Sequence, residues 1–247
     1  MADIKIDTIM FDLDGTLLQY SQEAFIKAYF SKIKNVFIRL GMDADIAVKG
    51  IWAGTKAMVE NDGTVFNARR FWDAFSGYYG IKGERLKVVE AACDDFYRVD
   101  FNAVKTIMKP CDISAKIVHM MAEKGYTIVL ATNPLFPLCA VQSRLGWIGL
   151  KPQDFKLITH YENSTFCKPN LDYYKEIFSK IGKLPQQCIM VGNNPVEDMC
   201  AGDLGAKTYL ITDFIENEFS MDITGFDRGT IEDIEIYLMA MPDVCHQ

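Results

Sequence analysis

Two aspartates placed two residues apart are the first sign of chemistry in this chain, in the segment Thr8-Ile9-Met10-Phe11-Asp12-Leu13-Asp14-Gly15-Thr16. The apolar run before them has the length of a buried strand, and Gly15 indicates a turn after it. Residues two apart in an extended segment point the same way, so Asp12 and Asp14 can reach one site. Two neighbouring carboxylates repel each other unless a cation neutralises them or one is protonated. The pair therefore predicts a Mg²⁺ site, an acid–base pair, or both.

A solvated turn and a calcium-binding loop are two other interpretations of this aspartate pair. A calcium loop needs further oxygen ligands at alternate positions and a glutamate at its twelfth position. Counted from Asp12, the fifth position is Thr16 and the twelfth is Glu23, so the alternation of acids fails early. The ligand pattern therefore disfavours a calcium loop.

Two further polar clusters follow predicted strands. Thr132 and Asn133 come directly after the apolar stretch 126–131, and their hydroxyl and amide groups can hold phosphate oxygens together with backbone N–H groups. Lys168 precedes Pro169, which favours an extended or turn conformation that aims the lysine side chain. Beside two aspartates and a phosphate, its ammonium group would balance charge. The ordinary alternatives are a helix-capping role for Thr132 or Asn133 and an exposed lysine.

A last polar cluster follows the apolar stretch 188–191. Gly192 permits a close backbone turn, and oxygen atoms suited to a hard cation such as Mg²⁺ come from Asn193, Asn194, Glu197 and Asp198. The alternative is a helix cap followed by acids that the helix dipole favours. Each alternative is reasonable alone, but four polar clusters after four successive predicted strands favour one shared site.

The elements that must position these clusters alternate between strand and helix in the second half of the chain. Strands are predicted over 126–131, 156–159, 188–191 and 207–211. Helices are predicted over 113–124, 136–145, 171–181, 195–201 and 231–239. This alternation predicts an α/β fold, a Rossmann-like parallel sheet with helices on both faces. The strand over 9–11 would join the sheet and bring Asp12 to the shared edge.

A block without strand signals separates the first strand from the rest. Apolar residues recur at three- and four-residue steps from Phe25 to Leu40, and further helices are predicted over 43–59, 67–79 and 84–97. We therefore expect an inserted helical-bundle domain over 18–102 and a core domain formed by 1–17 and 103–247.

Composition and charge exclude several classes of protein. The 247 residues are 49% apolar and 24% charged, as in ordinary globular proteins. A net charge of −7 argues against a nucleic-acid partner. No apolar run is long enough to span a bilayer, so no membrane partner is expected. Seven scattered cysteines and an N-terminus without a targeting segment predict reduced thiols and a cytoplasmic location. The oligomeric state is left open.

The four clusters together resemble the motifs of the haloacid dehalogenase (HAD) superfamily of hydrolases. Asp12-Leu13-Asp14-Gly15-Thr16 matches the first motif, DxDGT, and Thr132 after its strand matches the second. Lys168-Pro169 matches the third, and the loop 192–198 resembles the fourth. Order and spacing fit across nearly the whole chain. The helical block resembles the C1-type cap of this superfamily, a small bundle that closes over the site.

The resemblance implies roles for these residues that are consistent with their chemistry. Asp12 would attack phosphorus and form an aspartyl-phosphate, and Asp14 would protonate the leaving group and then deprotonate a water. Thr132 and Asn133 would hold the phosphoryl group, and Lys168 would balance its charge and that of Asp12. The cofactor would be Mg²⁺, with a ligand set drawn from Asp12, the backbone carbonyl of Asp14, Asn193 and Asp198.

Two features of these motifs bear on activity. Asp14 favours phosphoester chemistry over halide release, because halide needs no proton and the dehalogenase branch lacks this aspartate. At Asn193 the superfamily usually has aspartate, so the metal site loses one charge. We expect a Mg²⁺-dependent phosphatase acting on a small phosphorylated metabolite. The alternative is a catalytically weak relative that binds a phosphorylated ligand or a partner protein.

The residues that set substrate specificity are not evident from the sequence. Tyr20, Trp52, Lys56, Arg69 and Arg70 lie in the helical block and are candidate contacts for a leaving group. Lysine and arginine on helices are usually solvated, and Trp52 is expected in the core.

Overall fold

A parallel β-sheet of six strands forms the centre of the protein in the computed structural model, which describes residues 5–109 and 112–244. The strands lie in the order β3-β2-β1-β4-β5-β6, and every pairing is parallel. Their bounds are β1 Thr8–Phe11, β2 Thr127–Leu130, β3 Leu157–Ile158, β4 Cys188–Gly192, β5 Lys207–Ile211 and β6 Arg228–Gly229. The predicted α/β class with a parallel sheet is confirmed.

Strand β1 lies in the middle of the sheet and is buried along its whole length. It pairs with β2 on one side and β4 on the other, with Phe11 opposite both Leu130 and Val191. Because these three strands run in the same direction and end at the same level, the residues that follow them meet at one edge. Those residues carry the first, second and fourth polar clusters.

Four α-helices lie between β1 and β2 and are called here the helical insertion. They are α1 Gln22–Arg39, α2 Ala44–Val59, α3 Asn67–Tyr79 and α4 Glu84–Arg98. Side-chain caps begin the first two, since Ser21 accepts from the Ala24 N–H and Asp43 accepts from the N–H groups of Asp45 and Ile46. The successive helices predicted in this block are confirmed.

The remaining helices follow the strands of the sheet. They are α5 Ile113–Glu123, α6 Leu138–Trp147, α7 Leu171–Ile181 and α8 Ile231–Met239, with 3₁₀-helices at Asp100–Ile107, Pro152–Asp154, Pro185–Gln187 and Met199–Leu204. Within the described residues, no helix has both the length and the apolar character needed to cross a bilayer.

Two local predictions differ from the structure, and one strand was not predicted. Helix α6 begins at Leu138 and not at Phe136, because Pro137 disfavours a helical conformation at the residue before it. The helix predicted over 195–201 is a set of turns followed by the 3₁₀-helix, since Asp198 folds back to accept from the Asn194 N–H. Strand β6 has no apolar run that could have predicted it.

One buried apolar core extends from the sheet into the helical insertion. It includes Phe11 of β1 and Phe25, Tyr29 and Phe37 of α1. The predicted boundary at 102/103 falls within the 3₁₀-helix Asp100–Ile107, whose Phe101 and Val104 belong to the same core. The division into two domains therefore stays a prediction.

Five cysteines within the described residues are free thiols, namely Cys93, Cys139, Cys167, Cys188 and Cys200. Cys111 and Cys245 lie outside the described residues.

Candidate active site

Asp12 follows β1 at the edge of the sheet and is 7% exposed. Its backbone N–H donates to the carbonyl of Val191, which fixes the chain as it leaves the strand. One carboxylate oxygen, Oδ1, accepts from Lys168 Nζ at 2.7 Å. The other, Oδ2, lies 3.3 Å from the hydroxyl of Thr16. The predicted nucleophile is therefore buried at the edge of the sheet, and each of its two carboxylate oxygens is contacted by a hydrogen-bond donor.

Lys168 joins two of the predicted acids. Its Nζ also lies 2.6 Å from Asp198 Oδ1, and its side chain is 1% exposed. Burial lowers the pKa of this ammonium, but the charges of Asp12 and Asp198 outweigh that effect and raise it well above its usual value. Asp198 Oδ2 accepts from the N–H of Asn194 at 2.9 Å. Lys168 is thus a fixed cation and not the exposed lysine of the alternative interpretation.

Asn193 lies against the first motif. Its Nδ2 donates to the carbonyl of Phe214 at 2.6 Å, which turns Oδ1 toward Thr16 at 3.3 Å. Gly15 has a φ of 76°, and a Cβ at this position would collide with the Asn193 amide. The glycine is therefore needed both for its left-handed conformation and for the close approach of the two loops.

Thr132 and Asn133 follow β2 and line the same cavity as Asp12. The carbonyl of Thr132 accepts from Thr159 Oγ1 at 2.7 Å and from the Tyr173 hydroxyl at 2.9 Å. Asn133 Nδ2 donates to Glu197 at 3.0 Å, while its buried Oδ1 has no hydrogen-bond partner. The residue that precedes α6 is Pro137, so neither Thr132 nor Asn133 caps that helix.

Asp14 is held by two groups that donate to it. Arg144 Nη1 lies 2.9 Å from Oδ1 and 2.6 Å from Oδ2, and the Tyr20 hydroxyl donates to Oδ1. Burial, followed by the charge of Asp14, raises the pKa of Tyr20 well above its usual value, so this phenol stays protonated. The Asp14 side chain is still 30% exposed. Its carboxylate is thus oriented from one side and open on the other.

Sequence reasoning missed Arg144. The side chain is fully buried on α6, where its guanidinium lies 4.6 Å from the ring centre of Phe136 and 5.8 Å from that of Phe25. Its position in the sequence could have identified it. Arg144 lies three residues after Val141 and four after Ala140, so it shares the buried face of the helix with them. An arginine on the apolar face of a helix indicates a buried acidic partner.

Acidic groups outnumber cations around the site. Five carboxyl groups line the cavity, from Asp12, Asp14, Glu197, Asp198 and Glu216. Burial and neighbouring charges raise the pKa of Glu197 to about 6 and that of Glu216 to about 7. The cations that contact these acids, Lys168 and Arg144, are each bound by an aspartate. The excess of negative charge favours binding of a further cation.

The oxygen atoms at this edge fit a hard cation. Among the described residues, no cluster of three or more His, Cys, Asp or Glu side chains could hold a metal ion alone. Asp12 Oδ2 and Asn193 Oδ1, however, lie at 3.3 Å from the same Thr16 hydroxyl, so they face one small region. Carboxylate and amide oxygens are the ligands that Mg²⁺ takes in proteins. Both oxygens of Asp198 already accept hydrogen bonds from Lys168 and Asn194.

The candidate specificity residues of the helical insertion divide into two groups. Lys56, Arg69 and Arg70 form exposed ion pairs with Glu60, Asp73 and Asp62. Tyr20 and Trp52 line the cavity above Asp12. The expectation that Trp52 lies in the core is wrong, because this residue is 49% exposed.

Comparisons with known proteins agree with the fold and with the family resemblance. The family model for haloacid dehalogenase-like hydrolases matches residues 6–202. A search of curated proteins found no significant match. A HAD phosphatase from Thermococcus onnurineus is 14% identical, with a TM-score of 0.59 over 97% of this chain and 100% of that one. L-2-haloacid dehalogenase from Xanthobacter autotrophicus is 13% identical, with a TM-score of 0.56 over 96% and 99% of the two chains.

A third similar structure is the HAD-hydrolase YfnB from Bacillus subtilis, bound to magnesium. It is 17% identical, with a TM-score of 0.55 over 95% of this chain and 99% of that one. At these identities the structural likeness shows the fold alone, whereas the family model covers most of the chain. This chain belongs to the haloacid dehalogenase-like hydrolase family.

Proposed function

We propose that the protein is a Mg²⁺-dependent phosphatase that hydrolyses phosphate monoesters of a small metabolite. The observation that carries the proposal is the pair Asp12 and Asp14 at one cavity, the first held by Lys168 and the second by Arg144. One carboxylate is fixed for attack, and the other is placed beside it for proton transfer. The helical insertion would act as a C1-type cap over this site.

The reaction would proceed in two displacements on phosphorus. A carboxylate oxygen of Asp12 attacks phosphorus, the bond from phosphorus to the ester oxygen breaks, and Asp14 gives a proton to that oxygen. Asp14 then takes a proton from a water molecule, whose oxygen attacks phosphorus and frees Asp12 and inorganic phosphate. The Thr132 hydroxyl and the N–H groups after β2 would donate to the phosphoryl oxygens, and Lys168 would offset their charge. Asn133 Oδ1, an acceptor without a partner, would accept from a water beside the phosphoryl group.

Asp12 Oδ2, Asn193 Oδ1 and the main-chain carbonyl of Asp14 are the atoms that we propose as Mg²⁺ ligands. When bound, the ion would reduce the repulsion between the acids and an anionic phosphate. Asp198 was also predicted as a ligand, but we propose a supporting role for it, because its two oxygens already accept from Lys168 and from the Asn194 N–H.

Release of phosphate from p-nitrophenyl phosphate tests the proposal. We expect turnover with Mg²⁺ and a loss of turnover when EDTA removes it. The dehalogenase alternative is tested in parallel with chloropropionic acid, from which chloride release is measured. Chloride release without phosphate release would contradict the phosphatase proposal.

Replacement of Asp14 by asparagine should slow esters with a poor leaving group more than those with a good one. Turnover of benzyl phosphate should fall by about 10²- to 10⁴-fold, which is the usual contribution of a positioned acid. Turnover of p-nitrophenyl phosphate should fall less, because p-nitrophenolate leaves without a proton. The measurement is the ratio of the two kcat/KM values within one preparation, so partial unfolding cancels. This ratio reports the step in which the ester bond breaks, whereas hydrolysis of the aspartyl-phosphate, in which Asp14 also acts, is common to both esters. Equal losses for both esters would contradict an acid role for Asp14.

Replacement of Asn193 by aspartate should tighten Mg²⁺ binding on the order of tenfold, because the new ligand carries a charge. It also removes the hydrogen bond from Nδ2 to Phe214, so the metal-free variant should be less stable by about 0.5–1.5 kcal/mol. Calorimetric titration measures the first effect and thermal melting in EDTA the second. Asn194→Asp is the control for added charge in the titration, since its Oδ1 accepts from two N–H groups and an aspartate can do the same. An equal gain in both variants would argue against direct ligation by Asn193.

A second candidate function is the binding of a phosphorylated ligand with weak catalysis. Asn193 favours it, because this site lacks the acid that usually follows the glycine of the fourth motif. Phosphate release no faster than that of Asp12→Asn, together with binding of inorganic phosphate, would support this alternative.

A further inference from the structure

The cavity above Asp12 has two ends of opposite character. Its volume is about 200 Å³, and it lies between the edge of the sheet and the helical insertion. The end at the sheet carries the aspartates and the amides of Asn133 and Asn193. The end at the helical insertion is lined mainly by aromatic rings, among them Phe25, Tyr29, Phe30, Phe71, Trp72 and Phe75.

The rings at this end pack on one another. The distance between ring centres is 6.0 Å for Phe25 and Tyr29 and 6.2 Å for Phe71 and Phe75. It is 5.4 Å for Phe30 and Trp52. The first two pairs are stacked and the third is tilted, and ring contacts at these distances stabilise aromatic pairs beyond their buried area. These rings at the end of the cavity next to the helical insertion are called here the aromatic wall, and they form a preformed apolar surface.

The polar atoms of Tyr29, Tyr97 and Trp72 are already engaged. The hydroxyl groups of Tyr29 and Tyr97 bond to each other at 2.8 Å. Trp72 Nε1 donates to the Tyr161 hydroxyl at 3.3 Å. A ligand with many hydroxyl groups would leave those groups without partners against this wall, which costs binding free energy.

Charge at the cavity also restricts the ligand. Every charged side chain that lines it within the described residues is acidic, and no lysine or arginine is among them. Neither Lys168 nor Arg144 lines the cavity, and each is paired with an aspartate. A carboxylate or a second phosphate on the leaving group would therefore be buried without a cation, which is strongly unfavourable.

We infer that the substrate is a phosphate monoester of an apolar aromatic alcohol, with no second anionic group. This inference rests on the proposed phosphatase function and names the substrate class of the same site. The cavity is larger than the engineered apolar cavity of roughly 150 Å³ that binds benzene, so one aromatic ring fits beside the phosphate. The phosphate would lie at Asp12 and Thr132, and the ring would lie among the aromatic side chains of α1 and α3.

A substrate panel tests the inference through kcat/KM. The kcat/KM for benzyl phosphate should exceed that for phosphoglycolate by about 100-fold or more. The benzyl group would be transferred from water to the aromatic wall, whereas phosphoglycolate would bury a carboxylate. Methyl phosphate should fall between them. If phosphoglycolate is hydrolysed as well as benzyl phosphate, the inference is wrong and the phosphatase proposal stands.

A charge placed on the wall should change the preference. Thr55 lines the cavity from α2 and is half-buried, so a lysine is tolerated there. Thr55→Lys should narrow the ratio of benzyl phosphate to phosphoglycolate by about tenfold or more. Val59→Lys, on the same helix but exposed and outside the cavity, is the matched control and should leave the ratio unchanged. An equal effect of both lysines would contradict the cavity as the determinant.

Binding measurements separate this inference from the proposed chemistry. Trp52 and Trp72 line the cavity, so their fluorescence reports an occupant. Benzylphosphonate, which has no ester bond, should bind to Asp12→Asn protein more tightly than phosphonoacetate. Binding of this kind without turnover of any ester would overturn the phosphatase proposal and retain the ligand class. Absence of both binding and turnover would overturn both.

Discussion

Replacement of Asp12 by asparagine should lower kcat for p-nitrophenyl phosphate by at least about 10⁴-fold, on the scale of losses seen when a nucleophile is removed. Asparagine has the same shape but cannot form the aspartyl-phosphate. Lys168 keeps Asp198 as its partner in this variant, so the local geometry should survive. The measurement is phosphate release in Mg²⁺.

The same substitution should raise thermal stability in EDTA. Burial raises the pKa of the Asp12 carboxyl well above its ordinary value, and the charge of Lys168 offsets this only in part. An acid whose pKa is higher in the folded chain than in the unfolded chain binds more protons in the folded chain. Its ionisation therefore lowers stability as the pH rises from the unfolded-state pKa to the folded-state pKa. At pH 7 asparagine removes this cost. We therefore expect the melting temperature of the metal-free Asp12→Asn variant to lie above that of the wild type, as thermal melting in EDTA would measure.

Asp172→Asn is the matched control for Asp12→Asn. Asp172 is an exposed residue of α7 that pairs with Lys175, and such pairs contribute little to stability. This variant should keep full activity and the wild-type melting temperature. An Asp12→Asn protein that is folded and still releases phosphate at a rate near the wild type would exclude Asp12 as the nucleophile.

Replacement of Lys168 by methionine should destabilise the protein by about 3–5 kcal/mol, because it leaves Asp12 and Asp198 buried without their cation. For a chain of this size the melting temperature should fall by roughly 6–20 °C. Methionine is a similar unbranched side chain, so the effect reports charge more than lost volume. The pKa of Lys168 is raised in the folded state, so its contribution is fully present at pH 7 and is lost only at strongly alkaline pH.

A second substitution checks this account of Lys168. In Lys168→Met, a further Asp198→Asn change removes one of the unpaired acids and should recover part of the lost stability. Lys175→Met removes the cation of an exposed pair and should shift the melting temperature by little. If Lys168→Met melts like the wild type, the two buried ion pairs do not contribute as described.

Much of the site was predictable because it depends on local sequence and on one rule of topology. The spacing of Asp12 and Asp14 placed both side chains near one cavity, and the strand before Thr132 put it at the same edge. Parallel pairing of β1 with β2 and β4 brings the residues after these three strands to the same edge of the sheet. Lys168 was predicted as a fixed cation from the proline after it, and the structure places it between Asp12 and Asp198.

The residues that escaped prediction reach the site from a distance in sequence. Arg144 contacts Asp14 across 130 positions. Phe214 and Glu216 come from the loop after β5, where no strong motif marks them. The aromatic wall could not be predicted either. Apolar residues at helical spacing indicate the core, and the spacing is the same whether they pack on another element or line a cavity. Trp52 was expected in the core because large apolar side chains are usually buried.

Because one buried core extends from β1 into the helical insertion, the two parts should unfold as a single cooperative unit. Moving α1 away from the sheet would expose Phe25, Tyr29 and Phe37 together, all of which belong to that core. Slow amide hydrogen exchange in α1 should then report the same opening free energy as exchange in β1. The helical insertion and the sheet would then form one cooperative folding unit, and any movement of the insertion as a cap would have to leave this shared core packed.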